Sequence, residues 1–256
     1  MGIKFYDVEL FTDTLRRAEL DRSGQLLTLG VQDVYCSYDE LRAFLHEKNI
    51  PARDLPPAEI LPTTGFAWAG AKERARAIHQ KTLFAALGFQ TANVLAMDAS
   101  DYERPDFLHD LNLPVPNNLE NRFDLLFDGG TLEHVFSLKD AFFNVARMLK
   151  PGGLAIHHAP VDWPDHGFVN FNPTLFRDFY LANGFAEIDL RFTAVPLAPA
   201  SLAAERDYRF YTDFPGYLRP SHGLLLWAAY KKIRHVEPTV PVQGRYRQIW
   251  STPPTP

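Results

Sequence analysis

The sequence predicts an α/β fold built around a mostly parallel sheet. Three observations carry that prediction. Short apolar runs of strand length recur from residue 26 onward. Segments of helical period separate them, the alternation that marks βαβ units. Glycine, proline and small polar residues stand at the junctions, where turns need them.

Each element follows from its residues. "QLLTLGVQDVY" is the first strand. "SYDELRAFLHEKN" is a short helix, with Ser37 and Glu40 spaced as a capping box. "IPARDLPPAEILPTTG" is too rich in proline to be anything but loop. "AGAKERARAIHQKTLFAALGF" is a helix whose apolar face holds Ala75, Ile78, Leu83, Ala86 and Leu87, and Gly88 can end it. Strands are expected at "ANVLAMDAS", "PDFLHDLN" and "RFDLLFDGG". "LKDAFFNVARMLKPGG" is a helix with a Pro-Gly-Gly stop, and "GLAIHHAP" is the strand after it. "NPTLFRDFYLANGF" is a helix capped by Asn172, followed by the strands "AEIDLRFTA" and "HGLLLWAAYKKI". The expected organisation is one domain over residues 1–237, with an insertion at 37–70 and a proline-rich surface tail at 238–256.

Bulk properties exclude several classes. The chain has 256 residues, long enough to bury a core without covalent staples. Cys36 is the single cysteine, so no internal disulfide forms and a reducing compartment fits. The formal net charge of -5, with no block of like charge, argues against nucleic acid or an anionic membrane as partner. No apolar run is long enough for a signal peptide or a membrane span, and a cytoplasmic location is expected.

A parallel sheet of this kind binds ligands at the carboxyl ends of its strands. Asp98 ends "NVLAMD" and can accept hydrogen bonds from a ribose; capping the next turn is the alternative. Asp110 ends "FLHD" and can contact an adenine amino group, or simply close a turn. Asp128, Gly129 and Gly130 form a strand end with two glycines that allow close backbone approach. Glu133 and His134 follow them. "IHHAPVDWPDHGF" holds His157, His158 and His166 with Asp162 and Asp165. Adjacent histidines on a strand face opposite ways, so His157 and His158 cannot share a ligand there. No standard metal-ligand spacing is present, and no metal is expected. A histidine serving as general base stands level with histidines bonded in a structural loop.

With these residues in place, the chain resembles the class I S-adenosylmethionine (SAM)-dependent methyltransferases. "FDLLFDGGTLEHVFSLKDAFFNVARMLKPGG" is similar to their central segment, and Asp98, Asp110, Asp128–His134 and Pro151–Gly153 stand in the family order. "DHGFVNFNPTLF" resembles a little-characterised type 11-like subgroup, with Asp165 in place of a glycine and Asn172 in place of a serine. The resemblance implies a Rossmann-like sheet of seven strands, the last antiparallel, with helices on both faces. It implies SAM as cofactor, and the residues expected to hold it are Gly30, Gln32, Gly70, Asp98, Ala99, Asp110, Leu111, Asp128, Gly129 and Gly130.

The first-strand motif departs from the family's acid-x-Gly-x-Gly-x-Gly. Thr28 replaces the acid, Gly30 is the one matching glycine, and Gln32 and Val34 fill the other glycine positions. Asp98 also lies far beyond the usual spacing of about twenty residues from the glycine loop. Gly65 and Gly70, at the start of the helix leading to Asp98, offer another source of backbone amides for the methionine carboxylate. The expected function is methyl transfer to a small-molecule or sugar acceptor, with His134, His158 or His166 as base. The alternative is a catalytically silent scaffolding protein of the same fold. A nicotinamide dehydrogenase is disfavoured, because Gly-x-Gly-x-x-Gly is missing. Segments 37–70 and 192–222 are the expected lids.

Overall fold

The computed structural model describes residues 2–63, 77–196, 207–216 and 222–251. Its centre is β1 (Leu26–Leu29), all four residues of which are buried. A strand covered on both faces reads as a continuous apolar run, as "LLTL" does. β1 pairs in parallel with β4 (Val94–Asp98) on one side and β6 (Phe123–Asp128) on the other. β5 (Phe107–Leu108) extends the sheet beyond β4, and β7 (Leu149–Asp162) lies beyond β6. β10 (His222–Lys232) inserts between β7 and β8 (Phe185–Pro196), antiparallel to both. The full order is β5-β4-β1-β6-β7-β10-β8-β9. The expected antiparallel last strand is therefore present. The sheet has eight strands rather than seven because β9 (Arg209–Tyr211) adds a short antiparallel edge to β8.

Alternation along the strands divides the core into two layers. Leu27, Leu29 and Leu126 pack on one face against Phe142 and Val145 of the helix Leu138–Met148 and Phe176 and Tyr180 of the helix Pro173–Ala182. Leu26, Leu125 and Phe127 pack on the other against Phe11 and Leu15 of α1 (Phe5–Ala18) and Phe84 of the helix Gln80–Ala86. α1 is absent from the sequence expectation. It is anchored by polar bonds as well as packing. Trp227 Nε1 donates to Thr14 Oγ1 (2.9 Å), which donates to Asp189 Oδ2 (3.1 Å).

Two local expectations meet their geometry. Ser37 and Glu40 form a reciprocal capping box on the helix Tyr38–Glu47, and Asn172 Oδ1 accepts Thr174 N–H (2.9 Å). Two others are corrected. Residues Ile78–His79, expected inside a helix, are strand β3 and pair with Asp33–Val34 (β2); a helix, Gln80–Ala86, follows them, and residues 69–76 of the expected helix lie outside the described residues. The Pro-Gly-Gly turn belongs to β7, with a register shift against β6, and does not precede it. In the described part of the tail, Thr239 N–H bonds Asn183 Oδ1 (2.7 Å), and Gly244 opens a helix, Gly244–Ser251. Among the described residues no helix is long and apolar enough to cross a membrane.

Candidate functional site

Strand order reverses at β1. From it the chain runs outward to β4 and β5, then returns to β6 on the opposite side. The carboxyl ends of β1, β4 and β6 therefore splay around a crevice, where such sheets bind ligands. A cleft of about 340 Å³ lies there. That is at the small end of the roughly 300–1,000 Å³ range of ligand pockets. Gly30, Gln32, Asp98, Ala99, Asp110, Leu111, Gly130 and His134 all line it. A larger groove of about 630 Å³ runs beside α1, but its Asp13, Arg16 and Arg191 pair with one another and it is remote from the strand ends.

The β4 side carries the acids. Asp98 Oδ1 accepts Ser100 N–H (2.9 Å), and Oδ2 faces Gly30. Asp98 thus caps its turn and still presents an oxygen to the cleft. Asp110 is exposed and held below the usual carboxylate range by the Asn112 backbone and side-chain amides, so it is anionic. Burial, then the neighbouring Asp98 charge, raises the Glu103 carboxyl beside it. Met97, Leu111 and Val135 supply the apolar surface. Fully buried Asn144, unremarked in the sequence, shapes this wall: its side chain bonds Val115 N–H and the Leu111 and Leu113 carbonyls.

The β1 side is filled by side chains. Gly30 adopts φ 72°, the left-handed region that favours glycine, and its N–H is spent on Met97 O (2.7 Å). Thr28 Oγ1 lies 2.8 Å from Gly30 O and 3.0 Å from Gln80 Oε1. Gln80 Oε1 also accepts Gln32 N–H (2.6 Å). Gln32, 3% exposed, folds inward so that Nε2 donates to Leu29 O (2.9 Å). Thr131 Oγ1 donates to the same carbonyl (2.7 Å). A Cβ on Gly129 would stand 2.9 Å from Gln32 Oε1. Gln32 therefore covers Gly129 and separates it from the cleft.

Asp128 is outside the cleft as well. It is fully buried, and Oδ1 accepts Thr131 N–H (2.9 Å). Oδ2 pairs with His157 Nδ1 (2.9 Å), and His157 Nε2 with the Tyr180 hydroxyl (2.5 Å). In a neutral ring the acceptor-only carboxylate takes Nδ1–H, and Nε2 accepts from Tyr180. Burial, then the Asp128 charge, raises the Tyr180 hydroxyl far above its ordinary range. This relay ties β6, β7 and the Pro173–Ala182 helix together.

His158 points to the opposite face, as strand geometry requires. Its Nδ1 lies 2.6 Å from Asp7 Oδ1 of α1, in a separate small chamber with Tyr6, Gln32 and Gly129. His166 approaches the cleft from the loop after β7 and meets His134 edge to face, with ring centroids 5.1 Å apart. Burial lowers both of their pKa values. Glu133, completely buried between them and Asp128, has its carboxyl raised to about 8, first by burial and then by the Asp128 charge. Gly70 lies outside the described residues.

This strand order, with its reversal at β1, its antiparallel β10 and a cleft bearing Asp98 and Asp110, is the Rossmann-like class I methyltransferase fold. Residues 80–157 match the family Methyltransf_11, a methyltransferase domain, which bears out the resemblance to methyltransferases over that segment. No curated protein matches the chain. Solved structures to which the chain is similar include TehB from Haemophilus influenzae, 11% identical, covering 86% of this chain and 61% of that one with TM-score 0.44. Another is the Burkholderia thailandensis 1,6-didemethyltoxoflavin-N1-methyltransferase, with 1,6-didemethyltoxoflavin and S-adenosylhomocysteine bound (14%, 88% and 82%, TM-score 0.40). A third is the 16S rRNA (adenine(1408)-N(1))-methyltransferase of Catenulisporales acidiphilia (14%, 92% and 94%, TM-score 0.37).

Proposed function

We propose that the cleft binds SAM and that the protein methylates a small-molecule or sugar acceptor in the cytoplasm. The observation that carries this reading is the pair of cleft carboxylates, Asp98 at the end of β4 and Asp110 after β5, flanking the apolar Met97 and Leu111. That combination suits a nucleoside: carboxylate oxygens for ribose hydroxyls and an adenine amino group, apolar side chains for the ring. When bound, SAM supplies an electrophilic methyl group on its sulfonium. Asp98 Oδ2 orients the sugar, Leu111 and Met97 hold the base, and Gln32 and Thr131 wall the β1 end. Of the candidate histidines, His134 borders the cleft, and we assign it contact with the acceptor. Among the described residues no lysine or arginine lines the cleft, which favours a small acceptor over nucleic acid.

Isothermal calorimetry with SAM and S-adenosylhomocysteine tests the reading. Micromolar binding supports it, and a flat trace from folded protein rejects it. One observation favours the second reading, a scaffolding protein that transfers no methyl group. Gln32 occupies the space over Gly129 and consumes the loop's hydrogen bonds. That reading expects no cofactor binding and a stable complex with another protein on co-purification.

A further inference from the structure

Glu133 is 0% exposed, and neither of its carboxylate oxygens has a hydrogen-bond partner among the described residues. Burying a carboxylate costs several kcal/mol unless it is paired or bound to a cation. Two imidazoles face it. His166 Nε2, itself buried and without a hydrogen bond, lies 3.4 Å from Glu133 Oε1, and His134 Nε2 lies 3.9 Å from the same oxygen. One ligating atom from each of the three residues falls within 4.8 Å of the others.

We propose that Glu133, His134 and His166 form a binding site for one divalent first-row transition-metal ion at the rim of the cleft. Bonds of about 2.0–2.2 Å to such an ion put tetrahedral ligand atoms roughly 3.3–3.6 Å apart. The Glu133–His166 pair already has that separation. The remaining gap closes by rotation of His134, whose side chain is half-exposed. Two imidazole nitrogens and a carboxylate select zinc, iron(II) or cobalt(II) over calcium and magnesium, which prefer all-oxygen sets.

The surroundings are built to hold this geometry. Phe168 N–H donates to Glu133 O (2.8 Å), fastening the His166 loop to the Glu133 turn. A Cβ on Gly167 would come 2.8 Å from Glu133 O and 2.9 Å from its Cγ, so only glycine permits that approach. Three protein ligands leave at least one position for water or for an oxygen of a bound small molecule. His134 is shared between this site and the cleft, so the open side adjoins the place assigned to the acceptor. The ligands come from two loops far apart in the chain, which is why their spacing matches no sequence motif.

The test uses the full chain, stripped with chelator and dialysed, and titrated with zinc by calorimetry and with cobalt by visible absorption. Neither readout depends on methyl transfer. The expected result is one ion per chain and a rise in Tm on binding. Glu133→Gln and His166→Gln should each weaken affinity by about tenfold or more and abolish the metal-dependent Tm rise. His46→Ala, on the exposed side of the helix Tyr38–Glu47, should bind as the wild type does. Where one site variant does not fold, the other decides. The proposal is overturned if the wild type takes up no stoichiometric ion, or if a folded site variant binds as tightly as the wild type.

Discussion

Asp98→Asn gives the sharpest test of the nucleoside site. Oδ1 of Asp98 is committed to Ser100 N–H at 2.9 Å, and Oδ2 alone remains for a ligand. An asparagine amide oxygen keeps the Ser100 bond, so the turn survives. The amide nitrogen then occupies the Oδ2 position, where it donates and cannot accept. The variant therefore loses one charge-assisted hydrogen bond from a ribose hydroxyl, about 1.5–3 kcal/mol. At about 1.4 kcal/mol per decade this is roughly a 10- to 150-fold loss of affinity. The assay is calorimetric titration with S-adenosylhomocysteine, accompanied by urea unfolding to show that stability and m-value are unchanged. Affinity within twofold of wild type, in a variant of normal stability, would refute the assignment of Asp98 to the ribose.

The other predictions concern the frame around the cleft. Tyr180→Phe leaves His157 Nε2 buried without a donor and should cost about 1–3 kcal/mol in urea unfolding. S-adenosylhomocysteine affinity should not change, and unaltered stability would contradict the relay. His79 caps the Gln80–Ala86 helix through Nδ1, which accepts Lys81 N–H and must stay unprotonated. Burial, then the Lys81 charge, lowers its pKa to about 4 from 6.5. The unfolded chain thus binds the proton more readily. Stability from this group is complete above pH 6.5 and is lost as pH falls toward 4, by roughly 3 kcal/mol. His79→Asn keeps a capping acceptor and should flatten that part of the pH profile; an identical profile would disprove the role. Gln32→Gly removes the side chain over Gly129 and the bond to Leu29 O. It should lower stability by about 1–2 kcal/mol and tighten S-adenosylhomocysteine binding by more than about threefold. Unchanged or weaker binding would show that Gln32 does not obstruct the cofactor.

The sheet was legible because its central strands are covered on both faces, so "LLTL", "VLAMD" and "FDLLFD" stand out as apolar runs. The cleft acids were legible because a parallel sheet exposes the residues that follow its strands. α1 was missed although Val8, Phe11, Leu15 and Ala18 repeat at helical spacing; it precedes the first strand, where no βαβ unit called for a helix. β9, three residues at an edge, has no buried face to impose alternation. Asp128 looked like a ligand because nothing local announces its partner. His157 is its register neighbour on β7, and register between parallel strands is a tertiary fact. Gln80, Asn144 and the burial of Glu133 were illegible for the same reason: each depends on what a distant segment places beside it.

The first-strand loop keeps the backbone of a glycine loop and spends its donors internally. Gly30 retains φ 72°, yet its N–H bonds Met97 O, and Gln32 N–H bonds Gln80 Oε1. Where glycines leave amides pointing at a ligand, the Thr28, Gln32 and Gln80 network turns them inward. The two halves of a bound cofactor would then meet unequal partners. The nucleoside half has Asp98, Asp110 and an apolar wall, while the amino-acid half has no free amide from Gly30 or Gln32. Adenosine alone should therefore bind nearly as tightly as S-adenosylhomocysteine, within about tenfold, a difference of about 1.4 kcal/mol. Competition calorimetry measures that ratio directly. A much larger gap would mean that the methionine carboxylate finds strong donors outside this loop, as proposed for the segment containing Gly70, and Gly70→Leu should then close the gap by weakening S-adenosylhomocysteine alone.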